Sequence, residues 1–336
     1  MKNLPTFHSI VLVLALFIIS AEDAGAKNIE FFDTRVPLNY ERPDQHAVGM
    51  LEYRGGLSIT AKDPKFGGLS SLLVSADGKF MLAASDNGMW FSAGLNYDDN
   101  GILVGLSSAK LAPITGANGK PLAGRYRDAE GLARADDGAV FLAFEQHHRI
   151  LRFALSGQLD ADQLSAVIPD LVTAPAELAE FNSNAAMEAL VTLDDGSLLI
   201  LTEGLDNDRS SKPGWIVRSG MAAARLEYNR ADRFRPTGAT RLADGDLIVV
   251  ERRYSLISGV AALLRRISKG TILPGARLDG PEFARIAPPL TVDNMEGVAT
   301  RRDNAGHTLI YLLSDNNYSV SQRTLLLMFK LNDKTD

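Results

Sequence analysis

The feature that most constrains this chain is a hairpin written five times. The segments are FGGLSSLLVSADGKFMLAASDNG from Phe66, DAEGLARADDGAVFLAFEQHH from Asp128, NAAMEALVTLDDGSLLILTEG from Asn184, RPTGATRLADGDLIVVERR from Arg235 and DNMEGVATRRDNAGHTLIYLLSDNN from Asp293. Each is a short apolar run, a polar turn, a second apolar run and an acid. The turns are Asp77-Gly78, Asp137-Gly138, Asp195-Gly196 and Asp244-Gly245, with Asn304-Ala305-Gly306 in the last. Asp-Gly between two apolar runs is the strongest short-range hairpin signal, because both turn residues must reach positive φ cheaply.

Taking Gly68, Glu130, Glu188, Gly238 and Glu296 as equivalent, the repeats lie 62, 58, 50 and 58 residues apart. After each hairpin there is room for two more strands. MWFSAGL, RILRFAL, GWIVRSG, AALLRRI and TLLLMFKL are candidates for the third. Units of four strands, repeated at about 40–60 residues without helical periodicity, predict an all-β protein, a β-propeller. Five four-stranded blades fill residues 66–333, and six would follow if two weak units are merged in this reading. The last unit lacks a clear fourth strand, and AVGMLEYRGGLSITA ahead of the first can supply it, closing the ring with an N-terminal strand. A β-sandwich is the alternative, but it would not require the repeat. The expected domains are residues 1–26 as a signal peptide, 27–46 as an N-terminal segment and 47–336 as a single propeller.

The leader rests on Lys2, the apolar run IVLVLALFIIS and the small-residue cleavage pattern Ala24-Gly25-Ala26. The run is short for a membrane span; an uncleaved anchor is the alternative. No Arg-Arg pair marks twin-arginine export. The expected destination is the periplasm or the medium, with no stable membrane association after cleavage. Without Lys2, Glu22 and Asp23, 34 basic and 39 acidic residues remain, a net charge of −5. That balance, with no basic tract, argues against nucleic acid as a partner. The chain has no cysteine and is long enough to bury a large core without staples.

In a propeller the innermost strand lines a central channel, and its start lies beside the end of its hairpin partner. Glu130 should therefore face Glu145, Glu188 face Glu203, and Glu296 face Asp315. Units one and four, with Gly68 and Gly238 in the first place, keep Asp86 and Glu251, making eight carboxylates around one mouth. Asn87, Asn184, Asn294, Asn316 and Asn317 cluster with them, as do Arg127, His147, His148, Arg149, Arg252, Arg253 and Arg323. Packed acids must be neutralised by arginines, by held protons or by hard cations. The bland alternative is that each acid fastens neighbouring blades. The functional reading gives catalytic roles to Glu130, Glu188, Glu296, Arg252 and Arg253, and substrate contacts to His147, Arg149, Asn294, Asn317 and Arg323. It gives cation binding, with Ca2+ as the ion, to Asp86, Asp128, Glu145, Glu203, Glu251 and Asp315. Because strand residues alternate, only one of Arg252 and Arg253 can face the channel. Trp90 and Trp215 are expected between blades. G-x-S-x-G, H-E-x-x-H, Walker A and G-x-G-x-x-G motifs do not occur.

FGGLSSL, DAEGLA, NAAMEAL, GDLIVVERR and the C-terminal DNMEGVATRRDNAGHTLIYLLSDNN followed by QRTLLLMFKL resemble the bacterial phytase-like family, described as esterase-like activity of phytase. The resemblance covers residues 50–333, with DNMEG and SDNN its most specific parts. It implies an exported propeller hydrolase acting on phosphate esters or other esters. A distant similarity to calcium-dependent propeller phytases implies acids that hold calcium, which in turn holds phosphate. The leading expectation is calcium-dependent hydrolysis of a small-molecule phosphoester by a monomer. A metal-dependent lactonase and a non-catalytic ligand-binding propeller are the alternatives.

Overall fold

The structure, a computed structural model, describes residues 25–181, 187–204, 210–255 and 259–332. Almost all of the expected leader, residues 1–24, and Asn184 lie outside the described residues. Among the described residues no helix is long and apolar enough to cross a membrane.

Five small antiparallel sheets make a five-bladed β-propeller. Blade one is built on Leu69–Val74, Phe80–Ser85, Met89–Tyr97 and Leu103–Pro113, and blade two on Ala129–Arg134, Val140–Phe144, Arg149–Phe153 and Asp170–Val172. Blade three has Ala189–Thr192, Leu198–Leu201, Ser211–Val217 and Ala224–Asn229, with Arg277–Leu278 added in parallel. Blade four has Arg235–Arg241, Leu247–Ser255, Gly259–Ile267 and Glu282–Ile286. Blade five takes Asn294–Arg302, Thr308–Asp315 and Thr324–Leu331 from the C-terminal end and Leu51–Ala61 from the N-terminal end. That last pairing runs from Leu331 opposite Leu51 to Thr324 opposite Ile59 and closes the ring as the sequence predicted. Further upstream, Phe31–Arg35 lies outside this closing strand and Lys27–Asn28 edges blade one.

The strands read as nearly unbroken apolar runs because blades stack face to face and bury both surfaces of each sheet. All four residues of Leu198–Leu201 are buried. One apolar cluster fills each junction: Leu72, Met81 and Leu313 between blades five and one, Leu82, Leu132 and Phe144 between one and two. Ala133, Ile150 and Ile200 fill the next junction, Leu199, Val249 and Ile267 the one after, and Val250, Leu264 and Leu312 the last. Trp90 and Trp215 are fully buried in two of these junctions, as expected, edge-on to Phe153 and Phe181.

At the axis the innermost strands of blades one, two, four and five carry one residue more than their partners. The ladder slips at Ser70, Glu130, Thr237 and Glu296. A bulge of this kind re-aims a side chain and breaks the alternation. The residue after it must be small, because a neighbouring inner strand passes close by. A Cβ on Gly238 would stand 2.2 Å from the Glu296 carbonyl oxygen, and one on Gly131 or Gly297 2.8 or 2.9 Å from the Cβ of Leu190 or Leu72. Gly238→Ala should therefore cost about 1–3 kcal/mol, the usual cost of overpacking. Urea unfolding measures it, and an unchanged midpoint would mean that the inner strands are not packed this tightly.

Candidate functional site

The bulges settle which residues face the channel. The sequence reading took Gly68 and Gly238 as counterparts of the glutamates, but the register puts Ser70 and Thr237 there. The pairing that identifies them is legible after the fact: Glu-Gly in blades two and five aligns with Thr-Gly in blade four and Ser-Ser in blade one. These hydroxyls fasten blades. Ser70 Oγ donates to the Ala129 carbonyl at 2.5 Å and Thr237 Oγ1 to the Met295 carbonyl at 2.9 Å. The remaining bulge residues, Glu130 and Glu296, lie directly after those carbonyls.

The opposing position, at the end of each hairpin partner, is held by Asp86, Glu145, Glu203, Arg252 and Asp315. The Asp86 N–H bonds the Gly68 carbonyl and the Glu145 N–H the Asp128 carbonyl, both at 2.9 Å. Arg252 pairs with Arg235, as Asp315 pairs with Asn294. Glu251 is thus one residue out of step and does not belong to the ring. Its fully buried carboxylate accepts from Tyr228 Oη at 2.6 Å and from the Ala231 N–H at 2.8 Å, with Arg265 3.4 Å away. It fastens blade four to blade three, the role the bland alternative gave every acid. Arg253, on the same side of the strand as Glu251, lies over the Phe234 ring, 4.9 Å from its centroid. Arg252 is the arginine that faces the mouth.

Seven ring carboxylates remain, and their charges are compensated unevenly. Arg252 Nε is 3.2 Å from Glu296 Oε1, and its Nη2 is 3.6 Å from Glu203 Oε1. Arg235, which the sequence reading did not single out, holds Glu203 Oε2 at 2.6 Å. Asn294 Nδ2 donates to Glu296 Oε1 at 2.8 Å. Across the ring, Asp128, Glu130 and Glu145 each bring an oxygen to within 4.8 Å of the others. Asp128 also accepts from Gln146 Nε2 at 2.6 Å.

Burial and mutual repulsion raise the pKa values here. Burial and then the charges of Asp315 and Asp128 push Asp86 up to about 7. Burial pushes Glu296 up to about 8, against the pull of Arg252. Burial raises Glu130 well above the usual carboxylate range, helped by Glu188, Glu296 and Glu145, and Glu188 rises for the same reason beside Glu203 and Glu145. Asp128 and Asp315 are raised chiefly by burial. Clustered carboxylate oxygens that resist ionising together are the donor set a hard cation requires. Asp128, Glu130 and Glu145 fit one.

Of the other expected residues, some frame the mouth and some leave it. The Asn317 N–H donates to Asp315 Oδ1 at 2.7 Å, and its side chain donates to Gln322 Oε1 at 3.1 Å. Arg323 Nε lies 3.3 Å from Asp293 Oδ2. Asn316 Oδ1 accepts from the Gly68 N–H at 3.0 Å, so the loop between blade five's Thr308–Asp315 and Thr324–Leu331 strands seals onto blade one. Gly68 sits at φ +59°, and a Cβ there would fall 2.0 Å from Asp86 Oδ1. His147 and Arg149 turn aside. The His147 ring stands edge-on to Tyr126, and the Arg149 guanidinium lies 3.9 Å from the Phe144 ring centroid.

An acid-lined mouth on a five-bladed propeller therefore defines the class of protein. The chain belongs to the phytase-like family, described as esterase-like activity of phytase, whose profile matches residues 64–318. No curated protein matches it. Among solved structures it is similar to the PQQ-bound aldose sugar dehydrogenase of Streptomyces coelicolor, at 13% identity over 89% of this chain and 98% of that one, TM-score 0.44. It is also similar to the virginiamycin B lyase of Staphylococcus aureus, at 10% identity over 90% and 100% of the two chains, TM-score 0.40. Likeness at that level carries no argument about chemistry.

The raised carboxyls fix a pH dependence. Asp86 and Glu296 have ordinary values of 3.8 and 4.5, and the folded state raises both. Between those values and about 7–8 the folded protein binds more protons than the unfolded chain, so stability falls as pH rises through that window. In chelator, the melting temperature should drop from pH 5 to pH 8.5, and Glu296→Gln should flatten the drop. A melting temperature that climbs over this range would contradict the assignment.

Proposed function

We propose that the acidic mouth is the active site of a cation-dependent ester hydrolase, with calcium as the ion and a phosphoester as substrate. The observation that carries this reading is the convergence of Asp128, Glu130 and Glu145 within 4.8 Å. Oxygen ligands of this kind suit calcium. A divalent cation held by them, with Asp86 close by, would polarise the ester and lower the pKa of a bound water. The chain supplies the rest. Arg252, held between Glu203 and Glu296, presents a fixed positive charge to substrate oxygens. Glu188, whose pKa its buried, acidic surroundings raise well above the usual carboxylate range, is the proton donor to the leaving oxygen. Asn294 orients Glu296. The same reading makes the protein an exported one, with residues 1–26 as its leader.

One observation favours a second reading, in which the substrate is a carboxylic ester or lactone. Arg235 and Arg252 are both engaged by ring carboxylates, and Arg149 points elsewhere. A multiply phosphorylated substrate needs more positive charge than that leaves, unless bound cations provide it.

Hydrolysis of phytate, p-nitrophenyl phosphate, p-nitrophenyl acetate and a δ-lactone, each in calcium and in chelator, separates these readings. Calcium-dependent phosphate release is the expected result, and turnover of the acetate or lactone alone would select the second reading. Glu130→Gln should lower activity at least about a hundredfold, since even the residues behind a metal's ligands are worth about 10–100-fold. It should also abolish the rise in melting temperature on adding calcium. If Glu130→Gln keeps both turnover and the calcium response, the mouth is not the site. A calcium response without turnover of any substrate would leave a binding platform.

A further inference from the structure

Beside the acidic mouth lies a groove of different chemistry. Residues 126–128 and 145–147 run next to each other as a partition. Asp128 and Glu145 meet on the mouth side, joined by the bond from the Glu145 N–H to the Asp128 carbonyl. Tyr126 and His147 meet on the other, their ring centroids 4.7 Å apart. Beyond them, between the loop leading into blade two and that blade's outer strands, is a cavity of about 740 Å³, the size of a small-molecule site. Its walls include Leu122, Tyr126, Leu151 and Leu171. Leu171 is 67% exposed at the rim, and Ile168 beside it 65%. Large apolar side chains left open around a concave surface call for an apolar occupant.

One charged group in the groove lacks the carboxylate partner such groups usually find. Arg149 is stacked against Phe144 and Tyr126, and its guanidinium donates to the His147 carbonyl at 3.0 Å and to the Tyr126 carbonyl. Among the described residues no carboxylate lies within ion-pair distance of it. Burial pulls its pKa down to about 10, which leaves it charged at neutral pH. A desolvated cation in an apolar cleft complements a negative charge carried on an apolar body.

We propose that this groove is a second binding site, separate from the acidic mouth, for an apolar organic anion such as an aryl or alkyl carboxylate. Arg149 takes its charge, and Leu122, Tyr126, Leu151 and Leu171 take its body. The proposal does not rest on the hydrolase reading, because it concerns binding and needs no turnover.

Titration calorimetry of the full chain with 1-naphthoate, 1-naphthalenemethanol and 1-naphthylmethylammonium tests it. Naphthoate should bind about tenfold more tightly than the alcohol, the worth of a charge-assisted hydrogen bond, and the ammonium should not bind. Arg149→Gln should erase the preference for the anion. Leu171→Glu, at an exposed position, should weaken naphthoate at least about tenfold with the melting temperature unchanged, because it places a like charge at the rim. Glu130→Gln, in the mouth, should leave naphthoate affinity as it was. Equal affinity for acid and alcohol, binding undiminished by Leu171→Glu, or binding lost in Glu130→Gln would each overturn the proposal.

Discussion

The rest of the structure depends on how closely five inner strands can approach one axis. Around that axis the backbones nearly touch, and the residue after each bulge is Gly or Ser accordingly. In four of the blades the bulge frees one side chain from the alternation of the strand and turns it to the channel. In blades one and four that side chain is a hydroxyl, which bonds the next blade's carbonyl. In blades two and five it is a glutamate. Steric closure and functional display are thus one local device, filled by Ser or Thr where it ties blades and by Glu where it lines a site.

The second constraint is charge. Eight carboxylates around one opening, Asp128 included, would repel each other strongly, and only one ring position carries the opposite sign. Arg252 lies between the carboxylates of Glu203 and Glu296, with Arg235 behind Glu203. Compensation is concentrated at blades three to five, and the three converging oxygens are in blade two. This asymmetry gives the mouth a direction, with a fixed cation on one side and a cluster of hard donors on the other.

Most of this architecture was legible in the sequence because the repeat is carried by turn chemistry. Asp-Gly hairpins at near-constant spacing announce blades, and the N-terminal strand was needed to complete the fifth. The clustering of Glu130, Glu145, Glu188, Glu203, Glu296 and Asp315 followed from hairpin geometry alone. What failed was register by one residue. Glu251 looked like the acid of its blade because it ends the apolar run, yet an inner-strand bulge is invisible to a count of alternating positions. Shifting by one residue sends a side chain to the other face, which exchanged Glu251 for Arg252. His147 and Arg149 were misplaced for a related reason. They follow Glu145 through a tight turn, with Gln146 at φ +49°, that carries the chain out of the channel.

The closing strand has a consequence for how this molecule is made. Leu51–Ala61 and Thr324–Leu331 are neighbours in one sheet, although nearly the whole chain separates them. The four main strands of each of blades one to four come from contiguous sequence, but the circle is completed only when Thr324–Leu331 arrives. Contacts of such long range form late and slowly. Until then the growing chain offers two open sheet edges, the surfaces along which β-proteins join one another. The step most exposed to error in the life of this protein is therefore the docking of the Thr324–Leu331 strand, and a chain that stopped before Thr324 would carry its acidic residues on a ring unable to close.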